Sequence, residues 1–316
     1  VAAPSPDAAE LAFEMSDTGV QGTGCVGGIV GSPGLSGRSA HVTPATLTRP
    51  HNPGRLDARA YPVPMALRES VQKRRLFPRA RWLAKQMLVR WDLFTHRHDE
   101  SVRRWRPALV GARSGHVVVP SVAIESSRRE AGDFAARGLV RAGDRVLDIG
   151  AGNGRQAIGL VEQGVASYTG LEIVKGSVEY ANAAFASQGN VRLDWFDVQN
   201  AMYNPNGSQQ PEKATFPYPD GSFDFAVALS LYTHLERLAV VERYVSETAR
   251  VLRAGGTAFM TFFKSPPNEP SASAVRTVFG EADIRRVVGE CFEIEDAAGC
   301  ETTAFHDQWR LYLRKR

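Results

Sequence analysis

Cysteine is nearly absent from this 316-residue chain. Cys25, Cys291 and Cys300 are too few and too scattered for a disulfide framework or a zinc cluster, so a reducing, cytoplasmic setting is expected. No apolar run approaches the roughly 18 residues of a membrane-spanning helix, which removes an integral helical membrane protein from consideration. The formal net charge of +4 is too small to mark a nucleic-acid binder. No basic segment leads into an apolar one as in a secretory signal, and Asp7, Glu10, Glu14 and Asp17 argue against a transit leader. Histidines and carboxylates do not cluster at metal-ligand spacing, so no metal is expected. What remains is an ordinary globular composition, 43% hydrophobic and 23% charged, long enough for one large domain or a domain with an appendage.

Composition divides the chain. Residues 1–54 hold nine glycines and six prolines, a share too rich in backbone breakers to bury a core, and 1–64 is read as a disordered Gly/Pro-rich tail. The abrupt change that follows also raises a native start at Met65. Gly22-Thr-Gly24-Cys-Val-Gly27 has dinucleotide-loop spacing, but nothing strand-like precedes it, and coincidence is the expectation. Residues 65–119 read as a basic, Trp-containing helical extension. Within it, 68–106 carries twelve Lys or Arg against four Asp or Glu, a local charge of +8, so the rest of the chain sums to −4. Leu83, Met87, Trp91 and Phe94 recur at helical spacing. Two expectations follow: a basic amphipathic helix in peripheral contact with an anionic surface, or a helix packed on the main domain by its Trp face.

From residue 145 strands alternate with helices. Arg145–Ile149, Ser167–Glu172, Val191–Phe196, Phe223–Ser230 and Thr257–Phe263 read as strands, and 155–163, 175–187 and 234–252 as helices. This alternation predicts an α/β fold over 120–316, a doubly wound parallel sheet whose ligand binds at the strand carboxyl ends. Asp148 and the run Gly150-Ala-Gly152-Asn-Gly154 close the first strand. An acid ahead of the glycines repels a pyrophosphate and suits a cationic ligand. Glu172, ending the second strand, can accept both hydroxyls of a ribose, and Asp197, after the third, can accept from an adenine amino group. Together they describe a cationic nucleoside, S-adenosylmethionine.

These residues resemble the class I S-adenosylmethionine-dependent methyltransferases. Val146–Gly154 is similar to the family's first motif, and Phe216–Phe225 to the approach to its fourth strand. Ala249–Gly256 matches the turn before its fifth, with alanine where proline is common. The resemblance implies a seven-stranded Rossmann-like sheet, with Phe292–Glu295 and Trp309–Leu313 as its sixth and seventh strands. It implies cofactor contacts at Asp148, Gly150, Ala151, Gly152, Asn153, Gly154, Glu172, Ile173, Asp197, Val198 and Ser230. The implied reaction is methyl transfer to oxygen, less readily to nitrogen, of a small-molecule metabolite such as a sugar or lipid. No Asn-Pro-Pro-Tyr type tetrapeptide follows the fourth strand, which lowers nucleic-acid acceptors.

After that strand, Ser230-Leu-Tyr-Thr-His-Leu-Glu236 should face the acceptor. Thr233 and Glu236 read as a capping box that sets His234 in the first helical turn as a general base, with Tyr232 beside the acceptor and His306 a remoter candidate. The long connection Gln199–Tyr218 reads as a lid, a substrate wall or a surface insertion. A nicotinamide-dependent oxidoreductase and a non-catalytic cofactor-binding or membrane-docked module stay as competing readings. Oligomeric state is left open.

Overall fold

The apolar runs at Val146–Ile149, Phe223–Ala228 and Thr257–Phe263 become strands because both of their faces are covered, which leaves mostly Val, Leu, Ala and Phe rather than a polar alternation. The computed structural model describes residues 78–110, 119–263, 272–273, 276–299 and 308–316. The readings of the 1–64 tail, the Gly22–Gly27 run, a start at Met65, Cys25, Cys300 and His306 lie outside the described residues. Five strands run parallel: β1 (Arg145–Ile149), β2 (Ser167–Glu172), β3 (Val191–Trp195), β4 (Phe223–Ala228) and β5 (Leu252–Phe263). A two-residue hairpin, β6 (Ala272–Ser273) with β7 (Arg276–Thr277), stands apart from the sheet. β8 (Phe292–Gly299) and β9 (Gln308–Lys315) complete a seven-stranded sheet in the order β3-β2-β1-β4-β5-β9-β8. β9 is antiparallel to both β5 and β8, as expected of the sixth and seventh strands.

The helices are α1 (Pro78–Thr95), α2 (Glu100–Val110), α3 (Pro120–Ala136), α4 (Arg155–Glu162), α5 (Lys175–Ala184), α6 (Leu238–Val251) and α7 (Glu281–Gly289). Alternation along β1 divides the core between the two faces. Leu147 and Ile149 pack with Val241 and Val245 of α6 and Val288 of α7. Val146 packs on the other side with Trp105 of α2, Phe134 of α3, Ile158 of α4 and Phe185 of α5. Each of these fully buried side chains contributes about 1.5–3 kcal/mol of apolar transfer. The order reverses between β1 and its neighbours β2 and β4, so the carboxyl ends of these strands form the crevice where a ligand belongs.

Two local expectations are corrected. β5 begins at Leu252, not Thr257, because Leu252 already pairs with Phe223 of β4 ahead of a register shift that takes Gly255 to φ 65°. The helix expected from 234 begins only at Leu238, and no capping box forms: the Thr233 hydroxyl donates to the Ser230 carbonyl at 2.7 Å. Tyr232–His234 instead make a single 3-10 turn, because Tyr232 leaves the helical path to stack on Phe262 in the core.

α1 also departs from one of its two expectations. It does not pack by its Trp face: Leu83, Met87, Trp91 and Phe94 are exposed, while Val89 and Asp92 on the opposite side are buried. The Asp92 carboxylate accepts from the backbone N–H of Ser121 at 2.9 Å and from its hydroxyl. A negative charge is thereby set against the N-terminus of α3, whose first-turn N–H groups have no helical partner. Of the tryptophan side chains described in the extension, Trp105 is the buried one, and its indole N–H donates to Glu162 at 3.1 Å. Among the described residues no helix is long and apolar enough to cross a membrane.

Candidate active site

The chain leaves β1 by a turn that three glycines make possible. Gly150, Gly152 and Gly154 take φ of 76°, 57° and 77°, a region costing an L-residue about 1–2 kcal/mol at each position. A Cβ on Gly154 would stand 2.9 Å from the Phe185 ring, and one on Gly150 would stand 3.1 Å from Leu231. A Cβ on Gly152 would meet nothing within 4 Å, so the middle of the loop opens onto free space.

Glu172, at the end of β2, ties this loop down. Its two carboxylate oxygens accept from the N–H of Gly152 at 2.7 Å and of Val174 at 2.8 Å. Burial pushes its carboxyl above the usual range, and those backbone donors pull it back. A carboxylate offers about four lone-pair sites, more than the backbone donors here occupy, so acceptor capacity remains for a ligand hydroxyl.

Asp148 lies one strand over, 2% exposed, and accepts the Tyr168 hydroxyl at 2.5 Å. Burial pushes its carboxyl up to about 7, against the opposing effects of that hydroxyl and the Arg155 charge. Arg155 is itself engaged by Glu130 at 3.0 Å, and Glu130 also accepts from the Gln156 side chain. Two buried carboxylates thus flank the glycine loop, while the neighbouring cation is held by a third acid.

Asp197 follows β3 and is partly exposed. The Ser208 hydroxyl and the Asn204 amide hold its carboxyl below the usual range. Both donors come from the 199–218 connection, which folds back through a bridge between Val198 and Gln209. Of the other predicted contacts, Ala151 and Val198 are buried in the core, so only their backbone is available to a ligand. The Ile173 side chain packs partly against the core, and its carbonyl accepts from the Trp195 indole at 3.0 Å. Asn153 sits in the turn between Gly152 and Gly154.

Ser230 is the one non-glycine at positive φ (58°) among the described residues. Its N–H donates to the Thr261 hydroxyl at 2.7 Å and its hydroxyl meets the Gln308 amide, so three strands meet at this strained position. Such strain collects at functional sites. Four residues on, His234 is half-buried and meets Tyr203 edge-on, with ring centroids 5.4 Å apart. Burial, then the Glu172 charge, push the Tyr203 hydroxyl up to about 12. His234 and Tyr203 are thus in contact beyond the end of β4, within electrostatic reach of Glu172.

Tyr232 does not join them. It is 1% exposed and stacked on Phe262 at 4.5 Å, which corrects its reading as an acceptor-facing group. Tyr168, Glu130 and Arg155 escaped the sequence reading because only parallel register sets Tyr168 beside β1. Tyr203 carried a usable signal, as the aromatic of a long turn-rich connection.

The residues present fit S-adenosylmethionine. The cradle is open above Gly152, and carboxylates stand at three successive strand ends for a ligand carrying cationic and hydroxyl groups. Residues 147–260 match the family model described as a methyltransferase domain. The chain is 34% identical over 178 residues to 27-O-demethylrifamycin SV methyltransferase of Amycolatopsis mediterranei (strain S699), covering 56% of this chain and 54% of that protein. It is 30% identical over 134 residues to O-methyltransferase resE of Aspergillus sclerotiorum, covering 42% and 44%. The chain spans about half the length of the curated relatives it matches. A SAM-dependent methyltransferase from Methanosarcina mazei aligns with a TM-score of 0.44 at 19% identity, over 57% of this chain and 96% of that one.

Proposed function

We propose that this chain, whose residues 147–260 match a methyltransferase domain, is a class I, S-adenosylmethionine-dependent enzyme that transfers a methyl group to an oxygen of a small-molecule metabolite. The observation that carries the reading is the line of Asp148, Glu172 and Asp197 at the ends of three adjacent strands, around a glycine loop open at Gly152. When bound, S-adenosylmethionine supplies an electrophilic methyl group, and the protein's task is to hold and align the acceptor. Glu172 binds ribose hydroxyls and pins the loop through Gly152. Asp197 accepts from the adenine amino group. Asp148 contributes the negative charge that favours a cationic ligand. His234 accepts the acceptor's hydroxyl proton at an imidazole nitrogen. Tyr203 steadies the histidine ring by edge-on contact. Oxygen as the attacking atom draws support from two of the curated relatives, which are named for acting on oxygen, while another is named for acting on nitrogen.

Titration calorimetry with S-adenosylmethionine and with its demethylated product is the first test, followed by radiolabelled methyl transfer over sugar and lipid-like acceptors. Binding of both ligands in the micromolar range is expected. His234→Ala should lose 10²–10⁴-fold in turnover together with the acid limb of the pH–rate profile. Full turnover with an unaltered profile removes His234 from the reaction, and absence of binding by either ligand refutes the function.

A further inference from the structure

We propose that the outer face of α1 docks on an anionic lipid surface. Leu83, Met87, Trp91 and Phe94 stand at i, i+4, i+8 and i+11, which keeps them on one side of the helix. They are 56%, 64%, 47% and 60% exposed. Single apolar side chains on a surface are ordinary, whereas a continuous row two aromatics deep marks an interaction site. The helix does not turn to hide them, because its other side is held by buried Val89 and by the Asp92 carboxylate on Ser121.

The row is bordered by cations. Arg97 lies over the Phe94 ring at 4.7 Å and donates to the Phe94 carbonyl at 2.9 Å. Trp91 and Phe94 stand 6.3 Å apart, and exposed Arg90 adjoins Trp91. Of the basic residues of α1 with described side chains, Arg90 stands beside the row, and the helix's one acid, Asp92, is consumed on the buried side. No carboxylate of α1 therefore faces outward, within a 68–106 segment of local charge +8. Apolar side chains with an aromatic pair, flanked by basic residues, match the boundary between acyl chains and anionic headgroups.

A second copy of the chain is a poorer occupant. Two such rows set face to face would oppose like charges. The other large apolar side chains exposed among the described residues, Val122 and Trp195, make no matching row, and Lys175 covers the Trp195 ring.

The test is co-sedimentation of the full chain with vesicles of mixed phosphatidylglycerol and phosphatidylcholine, against phosphatidylcholine alone. Binding to the anionic vesicles is expected, at least tenfold weaker on the neutral ones and weakened by salt. Trp91→Ser with Phe94→Ser should lower it at least tenfold without moving the melting temperature. Arg90→Glu with Arg97→Glu should do the same, which keeps the test decisive where one pair folds poorly. No partition into anionic vesicles, or undiminished binding by the variants, overturns the proposal. So does a wild-type dimer in light scattering that the aromatic pair dissolves, since a second copy would then cover the row. None of these readouts depends on methyl transfer.

Discussion

Replacing Tyr168 by phenylalanine should shift the pH dependence of cofactor affinity upward, weakening binding at neutral pH and sparing it at alkaline pH. Asp148 is buried with the Tyr168 hydroxyl as donor, Arg155 nearby but committed to Glu130, and Glu172 adding like charge. Its carboxyl titrates at about 7 because burial outweighs the donors. A cationic ligand requires the ionised form, so apparent affinity scales with the ionised fraction. That fraction falls about tenfold between pH 8 and pH 6. A hydrogen bond to a charged acceptor is worth about 1.5–3 kcal/mol, and one pH unit corresponds to about 1.4 kcal/mol. Loss of the hydroxyl should therefore raise the midpoint by about 1–2 units and weaken binding at pH 7 about tenfold. Binding should recover at high pH. Calorimetry in buffers of different ionisation enthalpy measures both affinity and protons released, about half a proton at pH 7 in the unaltered protein. The same carboxyl opposes folding. Its raised value makes stability decline as pH rises from about 4 to about 7, by on the order of 4 kcal/mol, and level off above. Asp148→Asn should accordingly raise the melting temperature of the ligand-free protein at pH 8 while weakening cofactor binding. Affinity independent of pH between 6 and 8, or a Tyr168→Phe defect equal at every pH, refutes the reasoning and leaves Tyr168 a packing residue.

Three further outcomes follow from the same contacts. Glu172→Gln replaces a charged acceptor of two backbone N–H groups, and should weaken S-adenosylmethionine about 10–100-fold by calorimetry. Gly154→Ala puts a Cβ on the Phe185 ring at positive φ; denaturant unfolding should register a loss of about 1–3 kcal/mol. Glu247, 3% exposed, accepts from the Phe216 N–H at 2.8 Å and from Arg250 at 2.7 Å, and these partners hold its carboxyl below the usual range. Its contribution to stability is present above about pH 4.5 and lost as pH falls through the lowered value. Glu247→Ala should cost about 3 kcal/mol in unfolding at pH 7.

The order of strands and helices from residue 145 was legible because hydrophobic period and glycine position are local properties. Val146, Leu147 and Ile149 can only be a covered strand, and Gly150, Gly152 and Gly154 can only be a turn that needs positive φ. Carboxylates at 148, 172 and 197 were readable for the same reason: each lies at or beside the carboxyl end of a strand. Helix starts were less so. A Thr–Glu spacing at 233 and 236 is a good cap in isolation, yet burying Tyr232 against Phe262 outweighed it and delayed α6 to Leu238.

By itself the sequence determined the fold, the glycine loop and the acids around it, since these depend on the period of burial and on backbone freedom at single positions. Only the tertiary structure decided which groups face one another. Parallel register joined Tyr168 to Asp148, and the fold of the 199–218 connection brought Tyr203 to His234. One buried carboxylate, Asp92 on the N-terminus of α3, chose which side of α1 meets solvent. Helical periodicity defines an apolar face but not its direction, because direction is settled by contacts between residues far apart in the chain.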